Sequence, residues 1–135
     1  MDNQEESSED VISFDAALES TMGDETLLEE LLGLFRDSAR AHIMGIEQAV
    51  AASDAKRLVS EAHGLKGSAA TIGAHRLSEA ARVLEELGRS GTLVSVGVPL
   101  VVLRAESARA FELIASLTDD SGAIRLARAG QTVLD

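Results

Sequence analysis

Four long stretches of this chain carry apolar residues at intervals of three and four, and only a few residues separate one stretch from the next. At about 100° per residue, such spacing turns one stripe of a helix toward a core. In the first stretch Asp24 is a good N-cap, and Leu28, Leu31, Leu32, Phe35, Ala39, Ile43, Ile46, Ala49 and Val50 mark the stripe over about 25–52. Ser53 and Asp54 can cap a second helix, in which Leu58, Ala62, Leu65, Ala69 and Ile72 step along until Gly73. A third starts at Ala74 and buries Leu77, Ala80, Ala81, Leu84 and Leu87, with Gly88 or Gly91 as its stop. The valines of 93–102 suit a strand, yet Pro99 fits a helix N1 position and Leu103, Ala110, Phe111, Ile114 and Leu117 keep helical spacing. A fourth helix is therefore assigned to about 98–117.

Connections at 53, 73 and 88–97 are short enough to make successive helices antiparallel neighbours. The predicted fold class is all-α, an antiparallel up-down four-helix bundle with a short N-terminal helix. That short helix has Ser13 as its N-cap, Phe14, Ala17, Leu18 and Met22 at helical spacing, and Gly23 as its stop. Residues 1–12 are rich in Asp, Glu and Ser and are expected to be a disordered acidic tail, because they bury too little apolar surface to offset ordering. The bundle domain is then 13–117. Residues 118–135 form a weakly amphipathic C-terminal tail, whose Ile124, Leu126 and Val133 can dock on the bundle or meet a partner.

Composition narrows the function classes. Three Phe and no Trp or Tyr, with Leu and Ala dominant, favour packed helices over sheet. A formal net charge of -11 opposes general affinity for nucleic acid, and no basic cluster with interleaved aromatics occurs. Without cysteine there is neither a disulfide framework nor a thiolate metal site. The most apolar run, 93–103, is short and broken by Gly97 and Pro99, so no membrane span is expected. The acidic N-terminus lacks the basic and apolar regions of a signal peptide, which makes the cytoplasm the expected location. Four helices can enclose their own core, so a monomer is expected.

With the stripe of the second helix turned inward, His63 projects well away from the core and should meet solvent. Its own face carries Lys56, Ser60, Gly67 and Ala70, all small except the lysine. Glycine inside a helix costs about 1 kcal/mol relative to alanine, so Gly64 and Gly67 need an offsetting gain. Close approach of another protein's backbone to His63 would supply it. Lys66, three residues on, can swing its ammonium toward a phosphoryl group on the ring. The expected site is His63 as phosphoacceptor, Lys66 as phosphoryl stabiliser and Gly67 for steric access, with Lys56, Ser60, Gly64 and Ala70 as partner-binding positions. Lys56, Arg57, Lys66 and Arg76 face only Glu61 between 56 and 76, which predicts a local positive patch suited to an acidic cleft.

A His followed at plus three by Lys and at plus four by Gly, here His63, Lys66 and Gly67, resembles the signature of the histidine phosphotransfer (HPt) domain of two-component phosphorelays. The match continues through Ser68, Ala69, Gly73, Ala74, Leu77, Ala81, Leu84 and Glu85. In architecture the resemblance covers about 14–117, and its specific motif 62–85. It implies a carrier whose imidazole takes a phosphoryl group from a receiver-domain aspartyl phosphate and passes it to another receiver aspartate, reversibly. The implied partners are response-regulator receiver domains or a hybrid histidine kinase. The chain would need no cofactor of its own, since Mg²⁺ is expected in the partner receiver. An imidazole is largely neutral near pH 7 and an acyl phosphate is a reactive donor, so such a carrier is expected to be no enzyme and to have no autonomous kinase activity.

Plainer readings apply to the remaining candidates. His42 lies near the apolar stripe and His75 at a helix start, so both are read as structural. No His-x-x-x-His pair supports a metal site. Glu85 and Glu86 are read as a solvated face without a catalytic role. Gly64 to Gly73 lacks the strand context and Gly-Lys-Ser/Thr ending of a phosphate-binding loop, so ATP binding is not expected. Two other functions compete: a helical adaptor or inhibitor that binds a receiver or kinase without carrying phosphate, and the dimerisation region of a sensor kinase. The latter typically has an acidic residue after its His, where this chain has Gly64.

Overall fold

The computed structural model describes residues 8–117. Six helices occur among them: α1 (Ser8–Val11), α2 (Phe14–Ser20), α3 (Glu25–Ala51), α4 (Ala55–Thr71), α5 (His75–Ser90) and α6 (Gly97–Leu117). The long four follow the apolar stripes closely. Asp24 caps α3 by accepting from the Leu27 amide, and Asp54 caps α4 by accepting from Arg57, each satisfying an otherwise orphaned N–H. Gly91, with φ of 80°, ends α5 in the left-handed conformation that glycine adopts without steric cost. Gly88 lies inside α5, where a side chain would run into Val59 and the Ala55 carbonyl of α4. Its role is close helix packing.

Leu28, Leu32, Phe35, Ile46, Leu58, Leu65, Leu77, Leu84, Leu103 and Ile114 are buried in one core. α4 packs most extensively, against α5 on one side and α3 on the other, while α6 packs on α5 and touches α3 only sparsely. A helix in the middle of this order is the best-anchored element, and α4 is the one that carries His63.

The N-terminal boundary differs from the sequence expectation. Residues 8–11 are helical, and Ile12 is fully buried rather than part of a disordered tail. Two adjacent apolar residues, Val11 and Ile12, close the acidic stretch, and burying them lets α1 settle against α5 and α6. The Ser13 amide donates to the Gly73 carbonyl at 2.8 Å, and the Ser13 carbonyl sits where a side chain at Gly73 would be. Gly73 has φ of 80° and no Cβ, so the turn after α4 doubles as a seat for the N-terminal segment. Residues 1–7 and the C-terminal tail lie outside the described residues. No helix among the described residues is long and apolar enough to cross a membrane.

Candidate functional site

His63 sits mid-way along α4, with Leu58, Ala62, Leu65 and Ala69 buried on the opposite face. Its side chain is 64% exposed. The ring is nevertheless fixed, because Nδ1 lies 2.9 Å from Oε2 of Glu85 on α5. Glu85 is almost wholly buried, and two further cations converge on it: Lys66 Nζ lies 2.8 Å from Oε1, and Arg89 donates to Oε2 at 2.6 Å.

The Lys66 ammonium, opposed by burial and joined by Arg89 and His63, pulls the Glu85 carboxyl down to about 2. Glu85 is therefore a carboxylate at neutral pH and can only accept. Nδ1 must carry the hydrogen of the 2.9 Å bond, which leaves the Nε2 lone pair free on the exposed edge of the ring. A buried carboxylate that orients an imidazole in this way selects which nitrogen is nucleophilic.

The expected site residues fall into three groups. Gly67 is exposed with open space where a side chain would be, and Lys56, Ser60 and Ala70 are exposed on the same helix. Lys66 is near the ring but held by Glu85. Gly64 corrects the sequence reasoning: a Cβ there would strike the His42 ring of α3, so its missing side chain makes room for a neighbouring helix and not for a partner. The predicted positive patch is also reduced. Lys66 is balanced by Glu85, Arg57 by Glu61 and Arg76 by Glu106, two of them acids on other helices.

Sequence reasoning missed Glu85 by treating it together with Glu86. Glu86 is exposed and paired with Arg82 at 2.5 Å on the surface of α5, as a solvated acid would be. Glu85 follows the buried Leu84 and stands four residues before Arg89. One position of rotation about α5 separates a solvated charge from one turned toward α4. Reading each position against the Leu77, Ala81, Leu84 stripe separately is the signal that distinguishes them.

His42 forms the other His–Glu pair, with Nδ1 at 2.9 Å from Glu61 Oε1. His75, at the start of α5, is exposed. Among the described residues, no group of three or more His, Asp or Glu side chains is placed to hold a metal ion. Exposed Leu34 borders a groove of about 200 Å³ with Leu31 and Phe35 of α3 and Ser68 and Thr71 of α4, beside Gly67.

Comparison with known proteins gives this geometry a family. No curated protein matches the chain significantly. Among solved structures, histidine-containing phosphotransfer protein B (HptB) from Pseudomonas aeruginosa is similar, with TM-score 0.73 at 24% identity over 78% of this chain and 92% of that one. The HPT domain of the Hpt sensor hybrid histidine kinase from Shewanella is similar as well, with TM-score 0.70 at 18% identity over 78% and 92%. These likenesses establish the shared helical fold. The family model described as Hpt domain matches residues 30–112, more than half of the chain and the whole of α4 and α5. The chain belongs to the Hpt domain family, whose members are phosphorelay phosphocarriers.

Proposed function

We propose that His63 is the phosphoacceptor of a phosphorelay intermediate, taking a phosphoryl group from a receiver aspartyl phosphate and passing it to another receiver aspartate. The observation that carries this reading is the pinned ring, with Nδ1 held by buried Glu85 and Nε2 left open. In the transfer the Nε2 lone pair attacks phosphorus. An N–P bond forms while the P–O bond to the receiver carboxylate breaks, and its electron pair leaves on the aspartate. No proton has to move, since Nδ1 keeps its hydrogen. The positive charge the ring gains is balanced by Glu85. Delivery to the second receiver is the reverse of the same step.

Lys66 supports the reading from the other side. Its ammonium carries three N–H donors, so one held on Glu85 leaves others to turn toward a phosphoryl group on Nε2. Gly67 leaves the approach to the ring open, and the Leu34 groove offers apolar surface at its flank. Mg²⁺ belongs on this reading to the receiver's acidic pocket, and the chain contributes no kinase chemistry.

The test is phosphoryl transfer from a labelled, phosphorylated receiver domain. The wild-type chain and His42→Gln take up label, and His63→Gln takes up none. Label retained by His63→Gln rejects the assignment.

A further inference from the structure

Three side chains meet the Glu85 carboxylate, and the transfer described above gives a part to only two of them. Lys66 stands at Oε1 at 2.8 Å, the Nδ1–H of His63 donates to Oε2 at 2.9 Å, and Arg89 donates to that same Oε2 at 2.6 Å. Two donors on one oxygen place the guanidinium no farther from Nδ1 than their two bonds laid end to end. Arg89 also lies in the last turn of α5, where a cation is favourable to the helix. That benefit needs no contact with Glu85, and it does not account for a second cation on a carboxylate that Lys66 already balances.

With His63 neutral, Lys66 and Arg89 cationic and Glu85 anionic, the cluster holds one positive charge in excess, in a chain whose formal net charge is -11. Cations on either side are matched by acids: Arg82 pairs with Glu79 and Glu86 on α5, and Arg57 with Glu61 on α4. On the phosphoacceptor reading of His63, on which this rests, the P–O bond breaks with its electron pair leaving on the receiver carboxylate. The unit that arrives on Nε2 is therefore PO₃ with one negative charge. Nδ1 keeps its hydrogen, and the excess charge of the cluster goes from one to zero. We propose that Arg89 supplies the positive charge that the arriving PO₃ unit neutralises, and thereby sets how far the equilibrium lies toward phosphorylated His63. Glu85 fixes the ring and Lys66 faces the phosphoryl group, whereas Arg89 acts at longer range by Coulomb attraction. At roughly 7 Å and an effective dielectric constant of about 40–80, one unit charge changes an equilibrium about 3- to 7-fold. The Arg89 side chain is 60% exposed, so salt must weaken the effect.

The test mixes a ³²P-phosphorylated receiver domain with the full chain and reads the final partition of label between them. The receiver is one whose label divides measurably, and both proteins are dilute enough to be mostly apart, so that the partition does not depend on how they dock. Arg89→Gln lowers the ratio of labelled carrier to labelled receiver about 3- to 7-fold at low salt, and most of the deficit disappears at about 0.5 M salt. Arg89→Lys keeps the charge and stays within about twofold of wild type. Arg104→Gln removes an equal charge from an ion pair between α6 and Glu47 of α3, and leaves the ratio unchanged. An unmoved ratio in Arg89→Gln, an equal fall in Arg104→Gln, a fall in Arg89→Lys as deep as in Arg89→Gln, or a deficit that salt does not shrink overturns the proposal. A wild-type chain that takes up no label overturns the phosphoacceptor reading together with this one, whereas label on His63 with an unmoved ratio in Arg89→Gln overturns this one alone.

Discussion

Helix α4 holds a His–Glu pair on each flank, and the two have the same 2.9 Å bond from Nδ1 to a carboxylate. Toward α5, the His63 ring is 64% exposed over a Glu85 that is 4% exposed. Toward α3, His42 and Glu61 are 29% and 25% exposed, and the far edge of the His42 ring, Cε1 and Nε2, is packed against Gly64. One pair presents its free nitrogen to solvent, and the other turns it into the backbone of the neighbouring helix. A hydrogen-bonded histidine is thus not by itself a site. What makes His63 different is the side of the ring left uncovered and the additional cations gathered on its carboxylate.

That contrast can be broken in order of effect. After the complete loss expected of His63→Gln, the largest change comes from Glu85→Gln, which removes the acceptor that fixes the Nδ1 hydrogen and balances the phosphorylated ring. Transfer to His63 should slow by about 10- to 100-fold, equivalent to one charge-assisted hydrogen bond of ~1.5–3 kcal/mol. Glu61→Gln should leave the transfer rate near wild type, and equal rates for the two variants would erase the distinction drawn between the flanks.

Next in size is a pair of glycine substitutions read by urea unfolding. Gly64→Ala pushes a methyl into the His42 ring and should cost about 1–3 kcal/mol of stability through overpacking. Gly67→Ala meets nothing and should gain up to ~1 kcal/mol from helix propensity. A stabilising Gly64→Ala would mean that His42 yields easily and that the α3 flank is not the packed one.

The smallest effect is in pH. The Glu85 carboxyl stands below its ordinary 4.5, at about 2, chiefly through Lys66. A depressed carboxyl adds stability above its unfolded value and forfeits it as the folded value is approached from above. Wild-type protein should therefore lose stability between about 4.5 and 2 more steeply than Glu85→Gln, as followed by helical circular dichroism against urea at each pH. Parallel curves would mean that the buried carboxylate contributes no linkage.

Most of this scaffold was readable in advance because long amphipathic helices write their own period into the chain. The Leu58, Ala62, Leu65, Ala69 stripe placed His63 outward, and Asp24 and Asp54 marked the starts of α3 and α4. Three features were not readable in that way, each depending on a contact between segments. Ile12 looks like the end of an acidic tail until α5 and α6 supply something to bury it against. Gly64 looks like an opening until His42 fills it. Glu85 looks like its neighbour Glu86 until α4 brings a ring, an ammonium and, by way of α5 itself, a guanidinium to its two oxygens. Periodicity reports which side of a helix is covered, not by what.

The solitary bare nitrogen on α4 also dictates the timetable of any exchange. On the proposed function, donor and acceptor would both come to Nε2 of His63, and one imidazole edge has room for a single visitor. The first must depart before the second arrives, so the cargo waits on the carrier in between. Steady-state turnover between two receivers would then follow ping-pong kinetics, with double-reciprocal plots running as parallel lines.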